Sequence, residues 1–199
     1  TERPSGDPTH GRLVITLRRA TTAEERILYV ATHPIWGHTF TEAEYVHREL
    51  TLRAHAYAAR HLDTWVLSED RAIVASLETL RIETVSIDGE RGHGYGVASV
   101  FTPPACRGRG LATRLLTGVL RRLEEEDPAA RAAMLFSDVG ARIYERCGFV
   151  ALPGDDLAIP AAPVDAPLPH ELAGLRRGEV PAGQPTAGSF SLIATEGRI

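Results

Sequence analysis

The sequence has little of what a metal centre, a disulfide framework or a membrane span requires. Two cysteines, Cys106 and Cys147, occur among 199 residues, and their spacing matches neither a zinc site nor a disulfide-rich domain. The eight histidines form no H-E-x-x-H pattern, so no metal is expected. No run of about 18 apolar residues exists, which argues against a membrane-spanning helix.

The charge balance and the polar start narrow the function further. A formal net charge of −4 does not favour nucleic-acid binding. Residues 1–11 are polar and proline-rich, without the apolar core of a secretory signal, and are expected to be disordered. With so few cysteines, a reducing, cytoplasmic location is the simplest interpretation. The length fits one domain with a sizeable core.

The most informative stretch runs from Val97 to Leu123. It reads as an apolar strand, a proline pair, an Arg/Gly-rich turn and an amphipathic helix. The helix shows its apolar residues at helical spacing: Leu111, Leu115, Leu116, Val119, Leu120 and Leu123. It is expected to end before Asp127-Pro128, because the residue before a proline disfavours the α region.

The turn Arg107-Gly108-Arg109-Gly110-Leu111-Ala112 favours an anion. A helix N-terminus presents unpaired N–H groups and the positive end of the helix dipole. Glycines without a Cβ let the backbone approach a bulky phosphate closely. Neither the G-x-x-x-x-G-K-[ST] loop nor the dinucleotide fingerprint fits here. The alternative is a turn that merely begins a helix.

This stretch resembles the GCN5-related N-acetyltransferase (GNAT) superfamily, whose pyrophosphate loop is [QR]-x-x-G-x-[GA]. Arg107, Gly110 and Ala112 fill its fixed positions. The resemblance implies acetyl-CoA as donor and an α/β (α+β) fold with a central mixed, mostly antiparallel sheet flanked by about four helices. The residues expected to bind coenzyme A are Val100, Phe101, Thr102, Arg107, Gly108, Arg109, Gly110, Leu111, Ala112, Thr113 and Ser137. A backbone N–H near Val100 or Phe101 is the expected oxyanion donor.

A second signature of the same family lies near residue 144. In the family pattern A-x-x-[LI]-Y-x-x-x-G-[FW], the positions from [LI] onwards are filled by Ile143, Tyr144, Gly148 and Phe149, and Ala141 lies one residue closer to Ile143 than the pattern has it. In many members this tyrosine protonates the departing thiolate, and that role would fall on Tyr144. A phenol with an ordinary pKa near 10 can donate a proton at neutral pH. The alternative is a tyrosine used for packing only.

A general base is also needed, because the acceptor amine must lose a proton. Glu78 is the first candidate, since a carboxylate in an otherwise apolar strand is costly to bury unless it is paired or functional. Glu83 is the second candidate and a substrate-binding residue, and a water relay is the third. A salt-bridged structural role for Glu78 stays open. Cys106 is expected to pack rather than react.

The acceptor is expected to be a small-molecule amine. Short matches, including Ile73–Thr79 and the Trp36-Gly37 loop, resemble the fungal-type lysine N-acetyltransferase branch, which implies lysine or a related amino acid. Trp36 is either a core residue, the commoner case, or a wall of the acceptor pocket. A peptide N-acetyltransferase and a non-catalytic acyl-CoA-binding module are the alternatives. Many family members pair through their sheets, so the resemblance allows a homodimer.

The predicted order is strand, two helices, three strands, helix, strand, helix, as in that family. Capping boxes at Thr22/Glu25 and Thr41/Glu44 predict helices over 23–32 and 42–61. The first should bury Ile27, Leu28 and Ala31, and the second Val46, Leu50, Ala54, Tyr57 and Ala58. A short helix is expected over 139–147.

The C-terminal part differs in composition. Seven of the 13 prolines lie between Pro153 and Pro185, which predicts an extended loop. The acetyltransferase core is therefore placed at 12–152, followed by a Pro/Ala/Gly-rich segment, 153–199, with a final strand at 189–195. The loop could cover the acceptor site.

Overall fold

The described part of the chain is built on one seven-stranded sheet. A computed structural model describes residues 14–86, 89–137, 139–154 and 189–194. The strands in these residues are β1 (Ile15–Arg19), β2 (Leu62–Glu69), β3 (Ala72–Val85), β4 (Arg91–Phe101), β5 (Ala133–Ser137), β6 (Phe149–Gly154) and β7 (Ser189–Ala194). Their order is β1-β2-β3-β4-β5-β7-β6, and all neighbours are antiparallel except β4 and β5. The predicted α/β (α+β) fold with a mostly antiparallel sheet is confirmed.

The helices of the described residues fall into two size classes. Three are long: α1 (Thr22–Trp36), α2 (Glu42–Ala54) and α4 (Leu111–Glu126). Two are single turns, α3 (Ala58–His61) and α5 (Arg142–Glu145), and a 3-10 turn spans Pro104–Cys106. The predicted helix 139–147 is thus helical only in its middle.

Helix α4 anchors the fold as its periodicity predicts. All six of its expected apolar residues are buried, and Leu115 and Val119 are fully inaccessible. They form one core with residues of β2 and β3, such as Trp65 and Leu77. Burial of each such side chain contributes about 1.5–3 kcal/mol. This packing fixes where the helix begins, and therefore where the glycine turn before it lies.

Helix α1 begins one residue earlier than predicted. The capping box is formed by Thr21 and Glu24, not by Thr22 and Glu25. Glu25 is instead buried, on the same face as Leu28. Ile27, expected in the core, is 62 % exposed, and Ala31 is exposed as well. Two capping patterns overlap in T-T-A-E-E, and only packing against the sheet distinguishes them.

Helix α2 is shorter than predicted, although its capping box at Thr41/Glu44 is as expected. It ends at Ala54, and His55 is extended, with φ −58° and ψ 139°. The Tyr57 hydroxyl then donates to the carbonyl of Arg81 on β3 at 2.7 Å. The prediction of one helix to His61 is wrong, because this contact draws the chain towards the sheet. Ala54 and Tyr57 are consequently exposed.

Strands β4 and β5 separate after a short paired region. Only two residue pairs join these strands, Tyr95 with Ala133 and Gly96 with Met134. At Gly94 the backbones are so close that a Cβ would lie 2.3 Å from the Ala132 carbonyl oxygen. Beyond Gly96, β4 continues without pairing to β5, so a gap opens between their carboxyl ends.

Some predictions concern residues that the structure does not describe. The expected disordered segment 1–11 and the loop over 155–188 lie outside the described residues, and the predicted domain boundaries stay predictions. Within the described ranges, no helix is both long and apolar enough to cross a membrane. The same ranges contain no group of three or more His, Cys, Asp or Glu placed to hold a metal ion.

Candidate active site

The glycine turn before α4 presents free backbone donors. Gly108 and Gly110 have positive φ angles of 77° and 71°, and Gly110 is the N-cap. The first helical hydrogen bond runs from the Arg114 N–H to the Gly110 carbonyl at 3.0 Å. The N–H groups of residues 111–113 therefore have no partner within the helix, and its first turn contains no acidic residue. This geometry suits a phosphate group.

The two arginines of the turn are held by neighbours. The Arg107 Nε donates to the Thr102 carbonyl at 3.1 Å, which ties the turn to the end of β4. Arg109 pairs with Glu69 of β2 at 2.7 Å, and its hydrogen bond lowers the pKa of that carboxyl. Since Glu69 partly neutralises Arg109, the main-chain donors and Arg107 carry most of the turn's attraction for an anion.

Strand β4 contains a bulge beside the gap. Ser76 of β3 pairs with Phe101 and Glu78 pairs with Ala98, so three steps on β4 oppose two on β3. Ser99 within this bulge has a positive φ of 52°. A bulge bends its strand and interrupts pairing. The end of β4 therefore presents an unpaired edge towards β5, along which an extended ligand could add like a strand.

A cleft of about 330 Å³, open solvent included, lies on the β3 side of the bulge. Helices α1 and α2 form one wall, and β2, β3 and Ser99 of β4 form the other. Trp36 lines it and is 42 % exposed. The expectation that Trp36 is a core residue is thus wrong, and its position is that of a pocket wall.

Glu78 lies in this cleft and connects several elements. Its Oε2 accepts a hydrogen bond from the Ser99 hydroxyl at 2.8 Å, and its Oε1 is 4.0 Å from the Arg53 guanidinium. Arg53 also pairs with the buried Glu25 of α1 and donates to the Thr64 hydroxyl at 3.1 Å. Burial raises the pKa of Glu25 despite the Arg53 charge. The Glu78 side chain is 15 % exposed, so it can contact a ligand while Arg53 holds it.

Tyr144 of α5 is buried and packs in the same core as α4. Its ring meets that of Phe149 edge-on, with centroids 6.3 Å apart. Gly148 permits this turn, with φ 93°. The Cys147 thiol approaches the Thr113 carbonyl at 3.8 Å, which places α5 beside the first turn of α4. No hydrogen bond joins the Tyr144 hydroxyl to another described residue, so it is available as a proton donor.

The remaining predicted residues are distributed unevenly. Val100 is half-buried and Phe101 is buried on the free part of β4, and Thr102, directly after the strand, is half-buried. Ser137 ends β5 on the far side of the gap, where its hydroxyl accepts from the Val139 N–H at 3.2 Å. Glu83 is exposed, opposite His93 and about 17 Å along β3 from Glu78 at 3.3–3.4 Å per residue. The structure does not bring Glu83 to the cleft.

Sequence reasoning missed several lining residues. Tyr29 and Thr32 of α1, Tyr45 and Glu49 of α2, and Ser99 all line the cleft. Tyr29, Thr32 and Trp36 share one face of a helix, as do Tyr45 and Glu49, which lie one turn apart. The signal was therefore present as two polar-aromatic stripes, but the face of α1 was wrongly assigned.

These features can be compared with known proteins. The family model described as an acetyltransferase (GNAT) domain matches residues 16–151, more than half of the chain. The chain belongs to the GNAT acetyltransferase family. It is therefore an acyltransferase, as the two sequence signatures imply. No curated protein sequence matches this GNAT chain.

Solved structures share the GNAT fold. YhbS from Escherichia coli, in complex with CoA, is 21 % identical with a TM-score of 0.54, over 71 % of this chain and 72 % of its own. A GNAT acetyltransferase from Brucella melitensis, in complex with acetyl-CoA, is 24 % identical with a TM-score of 0.50, over 70 % and 84 %. A predicted acetyltransferase from Clostridium acetobutylicum, with acetyl-CoA, is 18 % identical with a TM-score of 0.53, over 75 % and 96 %.

Proposed function

We propose that this GNAT protein transfers the acetyl group of acetyl-CoA directly to the amine of a small molecule. The observation that carries the proposal is the bulge at Ser99, because it separates two binding regions on one strand. On one side lie the free edge of β4 and the phosphate turn, and on the other lies the cleft with Glu78. Similar solved structures are complexes with CoA or acetyl-CoA, which supports this donor.

The reaction balances with the residues present. The amine nitrogen attacks the thioester carbonyl carbon, a C–N bond forms, and the C–S bond breaks. Glu78 takes the proton that the amine loses, Tyr144 protonates the departing sulfur, and backbone N–H groups near Val100 stabilise the oxyanion. The products are an acetylated amine and free CoA. Lysine or a related amino acid, which the sequence resemblance implies, is one candidate in this class.

The test is thiol release from acetyl-CoA in the presence of a panel of small amines. Glu78→Gln should lower kcat by about 10²–10⁴-fold, the usual contribution of a general base, while the Kd for CoA stays unchanged. Glu83→Gln is the matched control, because this exposed carboxylate lies on the same strand outside the cleft. A Glu78→Gln variant as active as the parent would exclude Glu78 as the base.

Tyr144 is tested in the same assay. Tyr144→Phe removes only the hydroxyl and keeps the ring contact with Phe149, so turnover should fall while CoA affinity is kept. Tyr57→Phe is the control, since it removes a hydroxyl that donates to the Arg81 carbonyl outside the cleft. Full activity of Tyr144→Phe would remove this residue from the mechanism. Tight CoA binding without release for any amine would instead favour a non-catalytic binding module.

A further inference from the structure

The charge of the cleft limits which acceptors fit. Among the described residues that line it, Glu49 and Glu78 are the charged ones, and both are acidic. Glu49 lies on α2 with 19 % of its side chain exposed, and Arg48 pairs with one of its oxygens. The nearby Arg53 is already engaged by Glu25, Thr64 and the Leu62 carbonyl. A ligand carboxylate would therefore meet two negative charges with no uncommitted cation among these residues.

The environment of Glu49 shows that the two carboxylates influence each other. Burial raises the pKa of Glu49, and the negative charge of Glu78 adds to this effect against the opposing Arg48. Two carboxylates in one partly dry cleft repel each other, and a bound cation near both relieves this repulsion. The second oxygen of Glu49 has no ion-pair partner among the described residues, so it can accept a hydrogen bond from a ligand.

The aromatic side chains of the cleft also favour cations on an apolar stem. Three aromatic residues line the cleft: Tyr29 is 6 % exposed, Tyr45 is 4 % exposed and Trp36 is 42 % exposed. Aromatic faces attract ammonium groups and pack against methylene chains. An acceptor with an ammonium group on an apolar stem therefore suits this cleft.

We propose that the acceptor is an aliphatic diamine without a carboxylate, whose reacting amine lies at Glu78 and whose second ammonium group binds Glu49 between Trp36 and Tyr45. This inference rests on the proposed function and specifies its acceptor. It distinguishes diamines from lysine, which carries the same two amines and a carboxylate in addition. Glu49 then determines specificity without taking part in the chemistry.

The test compares 1,5-diaminopentane with two amines, lysine and pentylamine, that each differ from it by one group. 1,5-Diaminopentane is lysine without its carboxylate, and pentylamine is the diamine without its second amine. We expect the diamine to exceed both other amines in kcat/KM by at least about tenfold, as one charge-assisted contact allows. Glu49→Gln should lower the diamine-to-pentylamine ratio of kcat/KM by at least about tenfold, mainly through KM. Glu42→Gln, an exposed carboxylate on the same helix, should leave this ratio unchanged.

Calorimetric titration of the three amines into the CoA-bound protein gives a second readout that needs no turnover. The diamine site is supported if the diamine binds more tightly than lysine and if Glu49→Gln weakens the binding of the diamine. The proposed diamine site is overturned if lysine binds as tightly as the diamine or more tightly. It is also overturned if the Glu49→Gln variant prefers the diamine as strongly as the parent does. Absence of acetylation for every amine would overturn the proposed function, while the calorimetric order would still decide the acceptor site.

Discussion

A methyl group at Gly110 should separate the anion-binding role of the glycine turn from its structural role. Gly110 has φ 71°, and a Cβ built on it meets no atom within 4 Å. Gly110→Ala therefore creates no clash within the described protein and adds only backbone strain. In the proposed complex, however, the methyl group would occupy space beside the N–H groups of residues 111–113, where a phosphate of CoA binds.

The two effects have different sizes. An alanine in the left-handed region costs about 1–2 kcal/mol of folding stability. A hydrogen bond to a charged group contributes about 1.5–3 kcal/mol, so losing one phosphate contact should raise the Kd of CoA by about 10- to 100-fold. Gly89→Ala is the matched control, since Gly89 has φ 86° and equally open surroundings in the β3–β4 hairpin.

Urea unfolding and calorimetric titration with CoA measure both quantities. Both variants should lose similar stability, and only Gly110→Ala should lose CoA affinity. Pantetheine, which has no phosphate, should bind the Gly110 variant and the parent alike. A Gly110→Ala protein that binds CoA within twofold of the parent would refute a phosphate site at this turn.

Two further predictions concern stability. Gly94→Ala should destabilise the protein by about 1–3 kcal/mol or more in urea unfolding, because its Cβ would lie 2.3 Å from the Ala132 carbonyl oxygen. Gly96→Ala, whose Cβ would be 3.7 Å from its nearest neighbour, should cost less, and equal losses would contradict the close approach of β4 and β5. Burial raises the folded-state pKa of Glu49, so the ionised form of Glu49 lowers the stability of the folded protein. This loss of stability is absent below the unfolded pKa near 4.3 and grows as the pH rises. Glu49→Gln should accordingly raise the Tm at pH 8 but not at pH 4, and equal shifts at both values would contradict this sign.

The sequence alone was sufficient for features that depend on neighbouring residues. The periodicity of 111–123 predicted the buried face of α4, and the glycine turn before it follows from the same short stretch. The family signature around Tyr144 lies within nine residues for the same reason. Helix capping, helical periodicity and phosphate turns are local, so their residue patterns can be read from one segment.

Only the tertiary structure decided which residues surround the acceptor. It turned Ile27 outwards, brought Tyr29 and Glu49 into the cleft, and left Glu83 far along β3. It also placed the bulge at Ser99 opposite Glu78. These positions depend on strand register and on packing between segments distant in sequence. A shift of one residue exchanges inward and outward side chains in a strand and rotates the buried face of a helix by about 100°, so local patterns could not assign them.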